Sequence, residues 1–147
     1  MTPDEVAAFL DTERVLNVAT IGPTGHPHVV PMWFVVIDGR PSFWTFAKSQ
    51  KVVNLRRDPR ITALVEAGDS YPELRGAEVT GTAGVVDDHD AVMAIGRGVA
   101  EKYSGGLPLR DDAIAALEAQ AAKRVGITID VDRTVSWDHR KLTPNTY

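Results

Sequence analysis

The residues best placed to do chemistry lie in "FWTFAKSQKVVNLRRDPRI", positions 43 to 61. An aromatic, β-prone run ends at Phe46 and positive charge follows at once. Lys48, Lys51, Arg56, Arg57 and Arg60 fall within 13 residues, against one acid, Asp58. The chain has a net charge of -4, and positions 48 to 60 carry +4, which leaves -8 for the remainder. A strand end, a lysine-bearing loop and a helix start bring together three anion-attracting elements. They are free backbone N–H groups, the positive end of the helix dipole, and ammonium groups. Lys48 and Lys51 flank Ser49, whose hydroxyl can cap the helix or touch a phosphate. Each charge-assisted hydrogen bond to such a phosphate is worth roughly 1.5–3 kcal/mol. The alternative is a solvated charged face, with Arg56 and Arg57 pairing with Asp58 or Glu73.

"VVPMWF" is the second feature. A proline inside a strand frees a carbonyl from pairing and lets a flat ring lie against the backbone of residues 30 to 33. It is equally the mark of a barrel bulge, with Trp33 and Phe34 in the core or at a subunit contact. His26, His28, His89 and His139 are the four histidines. With no cysteine and no close acid beside His26 and His28, no metal site is expected. Ser136, Asp138 and His139 are sequence neighbours, which do not point at one another in the order a catalytic triad needs. "GRG" at 96 to 98 sits in a helical pattern and is no dinucleotide fingerprint, and there is no P-loop. No paired acids or activated nucleophile stand out. If the protein is an enzyme, the hard chemistry belongs to a bound cofactor.

The elements that must position these residues follow from periodicity and punctuation. Thr2, Pro3 and Glu5 start a helix whose apolar face is Val6, Phe9 and Leu10. Strands are predicted at "VLNVATI", "HPHVVPMWFVVI" (interrupted by Pro27 and Pro31), "SFWTF", "RITALVEA" and "AEVTGTAGVV", with two more, "GITIDVD" and "TVSWD", closing the chain. "GPTG" and "DGRP" are turns. A helix runs from a Ser49 N-cap to Asp58 and stops before Pro59. Another runs from Asp87 or Asp88 to about Tyr103. A third covers "RDDAIAALEAQAAKR", with acids at its start and bases at its end. Strands arrive as meanders without βαβ alternation, so a doubly wound parallel sheet is not expected. The pattern predicts a mainly β fold of six to seven antiparallel strands closed into a barrel with peripheral helices. A barrel of that size has little room inside, so a cofactor must lie outside it or between subunits.

With 147 residues and 44% hydrophobic content, the chain suits one domain over 1–147. It has no cysteine, no basic leader before an apolar run, and no apolar run near the roughly 20 residues that span a bilayer. A cytoplasmic location is expected. The pI of about 5.5 argues against nucleic acid as the main partner, so the local positive cluster suits a small anion.

The order helix, "LNVATIGPTGHPHVVPMWFVV", hairpin, "FWTFAKSQKVVNLRRDPRITALVE", "GAEVTGTAGVV" resembles the flavin/deazaflavin oxidoreductase superfamily. These are split β-barrel proteins related to pyridoxamine 5'-phosphate oxidase. The likeness covers roughly residues 3 to 142. Its most specific piece is Thr45, Lys51, Asn54-Leu55 and Asp58-Pro59-Arg60. The ending "VSWDHRKL" resembles the small actinobacterial branch that uses the deazaflavin coenzyme F420 in place of FMN. The resemblance implies a homodimer with two cofactor sites at the interface. It implies that the cofactor phosphate sits by Thr45, Ala47, Lys48, Ser49 and Lys51, with Lys51 the phosphate lysine. The ring would lie along Val30, Pro31, Met32 and Trp33. Trp137 or His139 would reach the partner's site, and Arg56 and Arg57 would meet the anionic tail. Unlike true pyridoxamine phosphate oxidases, the chain is short and lacks an Arg- and Pro-rich ending with a terminal Trp, so pyridoxamine phosphate is a poor substrate.

Three functions follow as expectations. The first is a reductase passing hydride from reduced F420 to an electron-poor conjugated small molecule, by proximity and orientation. The second keeps the fold but binds FMN. The third is a coenzyme carrier or haem-binding relative without turnover. In all of them the Lys51 head is expected to face solvent.

Overall fold

The computed structural model describes residues 1–142, so the last five residues of the expected domain lie outside the described range. Helix α1 (Pro3–Thr12) opens on a full capping box. The Thr2 hydroxyl accepts from the Glu5 N–H, and the Glu5 carboxylate accepts from the Thr2 N–H at 2.6 Å. Phe9 and Leu10 are its buried face.

Strand β1 (Val15–Ile21) turns through Gly25, at φ 85°, into β2 (Pro27–Trp33). Beyond Phe34 come β3 (Val35–Ile37) and β4 (Arg40–Phe46), joined at Asp38 and Gly39. Both turn residues have positive φ, as the two-residue Asp-Gly hairpin turn requires. Helix α2 (Gln50–Arg57) leads to β5 (Arg60–Ala67) and β6 (Arg75–Val86). Helices α3 (His89–Tyr103) and α4 (Asp111–Ala121) precede the last strand, β7 (Arg124–Asp138). The seven strands pair antiparallel in the order β2-β1-β5-β6-β7-β4-β3.

That order corrects one expectation. The strand predicted through "HPHVVPMWFVVI" is two strands, and they end up on opposite edges of the sheet. A single residue, Phe34, links them, so the sheet curls until its edges nearly meet. This is the mainly β barrel with peripheral helices, split where β2 diverges from β4. Phe34 is 0% exposed at that seam. Its N–H donates to the Tyr103 hydroxyl at 3.3 Å, and the Lys102 ammonium lies 3.9 Å over its ring. As an edge strand, β2 tolerates Pro27 and Pro31 without losing ladder bonds inside the sheet.

A second correction concerns the chain end. "GITIDVD" and "TVSWD" are not two strands but parts of one, β7, which runs along the whole of β6. The apparent break is a bulge. Thr80 opposes Arg133 and Gly81 opposes Val131, which leaves Asp132 as the extra residue. Gly81 is needed there, because a Cβ would lie 2.0 Å from the Asp130 carbonyl oxygen.

Inside the barrel Leu16, Val18, Phe43, Val65, Ile127 and Ile129 form the core with Phe34. A second cluster packs Val92, Met93, Ile95 and Leu117 of α3 and α4 on Trp44, outside the barrel. Alternation along β4 decides which cluster each residue joins.

Helix α2 is seated by a buried polar network. The fully buried Asn54 amide donates to the Thr20 hydroxyl at 3.0 Å, and its carbonyl oxygen accepts from Gln50 at 2.8 Å. Asn54→Ala leaves the buried Thr20 hydroxyl without its partner. It is expected to cost about 1–3 kcal/mol in urea unfolding, and an unchanged midpoint would show that water replaces the network.

Strand β7 ends at Asp138, whose carboxylate takes Arg140 at 2.6 and 2.8 Å and the Arg140 N–H at 3.1 Å. Those bonds hold its pKa down at about 2. A depressed folded value means that the stability this pair contributes is complete above the unfolded value near 3.8, and is lost as pH falls through about 2. Melting temperature measured from pH 5 to pH 2 should therefore fall less steeply in Asp138→Asn.

Candidate functional site

The strongest candidate lies where β4 ends at the split. β4 points Thr45 inward, where it is buried. From the second residue of α2, the Lys51 ammonium donates to the Thr45 hydroxyl at 3.0 Å. The lysine head is therefore folded back onto the barrel end and half-buried, not extended into solvent as expected. Burial lowers its pKa, and the nearby Arg124 charge lowers it further. Ser49 is the N-cap of α2 by backbone position, but its hydroxyl does not cap the helix. It lies 3.5 Å from the Thr45 hydroxyl instead. Val52 and Val53 donate to the Ser49 carbonyl, so the first two N–H groups of α2, of Gln50 and Lys51, are the ones with capacity for another acceptor.

Lys48 is exposed on the connecting loop, and the Ala47 N–H pins that loop to the Lys123 carbonyl at 3.0 Å. Arg56 bonds Asp87 at 2.9 and 3.2 Å in an exposed pair. Arg57 donates to the Ile21 carbonyl and reaches the Asn54 carbonyl oxygen at 3.5 Å. Asp58 takes Arg60, not Arg56 or Arg57.

Arg124 is the residue the sequence reading passed over. It looked like a base at the end of the last helix. Instead α4 stops at Ala121, and Arg124 opens β7 directly opposite Phe46. Its guanidinium carbon lies 4.6 Å from the Trp44 ring and 4.6 Å from the Phe46 ring. Its Nε is buried without a hydrogen-bond partner, and burial lowers its pKa. The signal was available: two bases stand immediately before the strand-like run "VGITI".

Arg124 lines a cavity of about 480 Å³ that fills the split between β2 and β4. Pro31, Met32 and Trp33 form one wall, and Trp44 and Arg124 the other, with Gly96 of α3 and Gln120 of α4 completing it. Trp33 stacks on Tyr103 with ring centres 4.2 Å apart. Val30 lies one residue further along β2 and faces inward with Met32.

Trp137 is not brought to this cluster within one chain. It stands at the far end of the 15-residue β7, packed over Gly76, where a Cβ would lie 2.2 Å from its ring. Ser136, Asp138 and His139 turn to three different partners: Met1, Arg140 and the Tyr71 carbonyl. Among the described residues no group of three or more His, Asp or Glu could hold a metal ion, and no helix is long and apolar enough to cross a membrane.

A seven-stranded antiparallel sheet, curled and split at one seam with its helices outside, is the fold of the flavin-type split barrels. The comparisons agree. The profile of the pyridoxamine 5'-phosphate oxidase family matches residues 2–138, and the chain belongs to that family. No curated protein matches it. A conserved hypothetical protein of Mycobacterium tuberculosis is 45% identical, with a TM-score of 0.91 over 100% of this chain and 91% of that one. A structure described as an F420 reductase is 26% identical, with a TM-score of 0.68 over 87% and 94% of the two chains. A FAD-binding protein of Mesorhizobium loti shares the fold at 19% identity, with a TM-score of 0.65 over 92% and 94%.

Proposed function

We propose that this protein is an F420-dependent reductase acting on electron-poor conjugated small molecules, and that it works as a homodimer with the coenzyme at the subunit interface. The observation that carries the reading is the desolvated Lys51, bonded to Thr45 at the end of β4. A desolvated ammonium beside a helix start that its own Ser49 hydroxyl does not cap suits a phosphate. The likeness to the F420 reductase favours the deazaflavin over FMN.

In this reading Lys51, Ser49 and the N–H groups of α2 hold the phosphate, with Thr45 orienting the lysine head. Lys48 extends the positive field along the tail. Arg56 joins it only by leaving Asp87, and an exposed ion pair of that kind holds it by about 0–1 kcal/mol. The free edge of β2 along Val30, Pro31, Met32 and Trp33 supports the ring. When bound, the reduced deazaflavin supplies hydride to the acceptor. Among the described residues no acid or histidine lines the cleft, so water is the proton source. The cleft walls contribute orientation and exclusion of bulk solvent.

The dimer has its own support. The outward face of β1 and β2 carries Val15, Val29 and Trp33, with Val29 60% and Trp33 59% exposed. Register sets Val15 beside Trp33 and Ala19 beside Val29, with Asn17 opposite Pro31 between them, so the face is mostly apolar.

Separate fluorescence titrations with F420 and FMN test the proposal. Saturable F420 binding, with FMN weaker, is expected. Micromolar FMN binding with no response to F420 would replace the cofactor assignment by FMN.

A further inference from the structure

We propose that the cavity beside Arg124 binds a flat, conjugated carboxylate, whose carboxyl group pairs with Arg124 while its π system lies between Trp33 and Trp44. Arg56, Arg60, Arg75 and Arg140 each meet an acid. Arg124 meets none among the described residues, and its Nε is buried without a partner. Leaving a partly buried cation unpaired costs free energy that an arriving anion recovers. The two aromatic rings at 4.6 Å stabilise the charge and fix the plane of the guanidinium, but neither accepts a conventional hydrogen bond.

The cavity walls set the shape of the ligand. The Trp44 indole reaches the cavity because position 96 is glycine, where a Cβ would lie 2.7 Å from its ring. Trp33 is held by its stack on Tyr103. Two indoles face a space of about 480 Å³, enough for a bicyclic molecule, and Gln120 offers an amide at the rim. No acid or histidine among the described residues lines the space, so nothing there favours a cation. A neutral aromatic of the same shape would fill the walls yet leave Arg124 unpaired, which is the basis of selectivity.

The position of this pocket beside Pro31, Met32 and Trp33 links it to the proposed reduction: the acceptor is then an aromatic or α,β-unsaturated carboxylate. The acceptor role rests on the F420 reading, whereas the carboxylate preference rests on Arg124 alone.

Calorimetric titration with 2-naphthoate and 2-naphthamide tests it. Naphthoate should bind the unmodified protein at least about tenfold more tightly than the amide, the lower range for one charged hydrogen bond. Arg124→Gln should bring that ratio close to one, Arg124→Lys should keep part of it, and Lys51→Ala should leave it intact. Equal affinities, absence of binding, or a preference surviving in Arg124→Gln would overturn the inference. The comparison of the two ligands on the unmodified protein decides even if the Arg124 variants do not fold. With F420 saturating, naphthoate should still bind. Its displacement would show that the cavity belongs to the coenzyme, so the acceptor site fails while the F420 reading stands. A naphthoate preference without F420 binding supports the Arg124 site and ends the F420 reading.

Discussion

Replacing Lys51 by alanine should weaken F420 binding by about 1.5–3 kcal/mol, roughly 10- to 150-fold, the range for losing one charge-assisted hydrogen bond. The structure sharpens this beyond a charge count. The Lys51 head is drawn back onto Thr45 at 3.0 Å and loses solvation there, with Arg124 close by. Both effects lower its pKa, so in the free protein its charged form is disfavoured relative to the unfolded chain. The sign for stability follows. A lysine with a lowered folded value is a full liability below that value; the liability shrinks as pH rises past it and is gone above the unfolded value near 10.5. Lys51→Ala should therefore leave the free protein as stable as before, or slightly more so, at neutral pH. An anionic ligand reverses the effect by favouring the charged form. Fluorescence titration gives the affinity and thermal unfolding gives the stability. Unchanged affinity would remove the phosphate from this end of β4. A large loss of stability would show the lysine to be a structural strut.

Replacing Phe34 by alanine should destabilise the fold by about 3–5 kcal/mol in urea unfolding, as for other large aromatic core truncations. Phe34 is fully buried and is the single residue between two strands on opposite edges of the sheet. Its backbone N–H is held by Tyr103 and its ring by Lys102, which itself donates to the Leu10 carbonyl at 3.0 Å. The seam, α1 and α3 meet at this point, so a cavity there cannot close by moving one side chain. A loss under about 1 kcal/mol would show that the barrel collapses around the smaller residue.

Much of this architecture was legible locally. The Thr2-Pro3-Glu5 helix start, the Asp38-Gly39 turn and the Asp88 cap of α3 all act within a few residues, and the observed bonds are the expected ones. Local signals failed where pairing is long-range. Nothing around Phe34 announces that the chain changes edges there, because the reason is the closure of a sheet whose other strands come much later. "GITIDVD" and "TVSWD" read as two strands, because Arg133 interrupts the alternation between them. The break is a bulge, held in register by β6. Ser49 looked like a side-chain cap, but its hydroxyl turned to Thr45, whose inward position depends on β4.

Residue type and spacing alone determined the mainly antiparallel β class, the lysine-bearing link from the third β-run to a helix, and the family resemblance. Each of these rests on alternation, turn chemistry or charge density, and all three are properties of short stretches. Only the tertiary structure decided which cations work together. It folded Lys51 inward, tied Arg56 to Asp87 and Arg57 to the Ile21 carbonyl, and set Arg124 beside Trp44 and Phe46. The physical reason is that a charge is defined by its partners and its solvent exposure. Both depend on which strands the sheet places side by side, and Arg124 faces Phe46 across a gap of 77 intervening residues only because β7 pairs with β4.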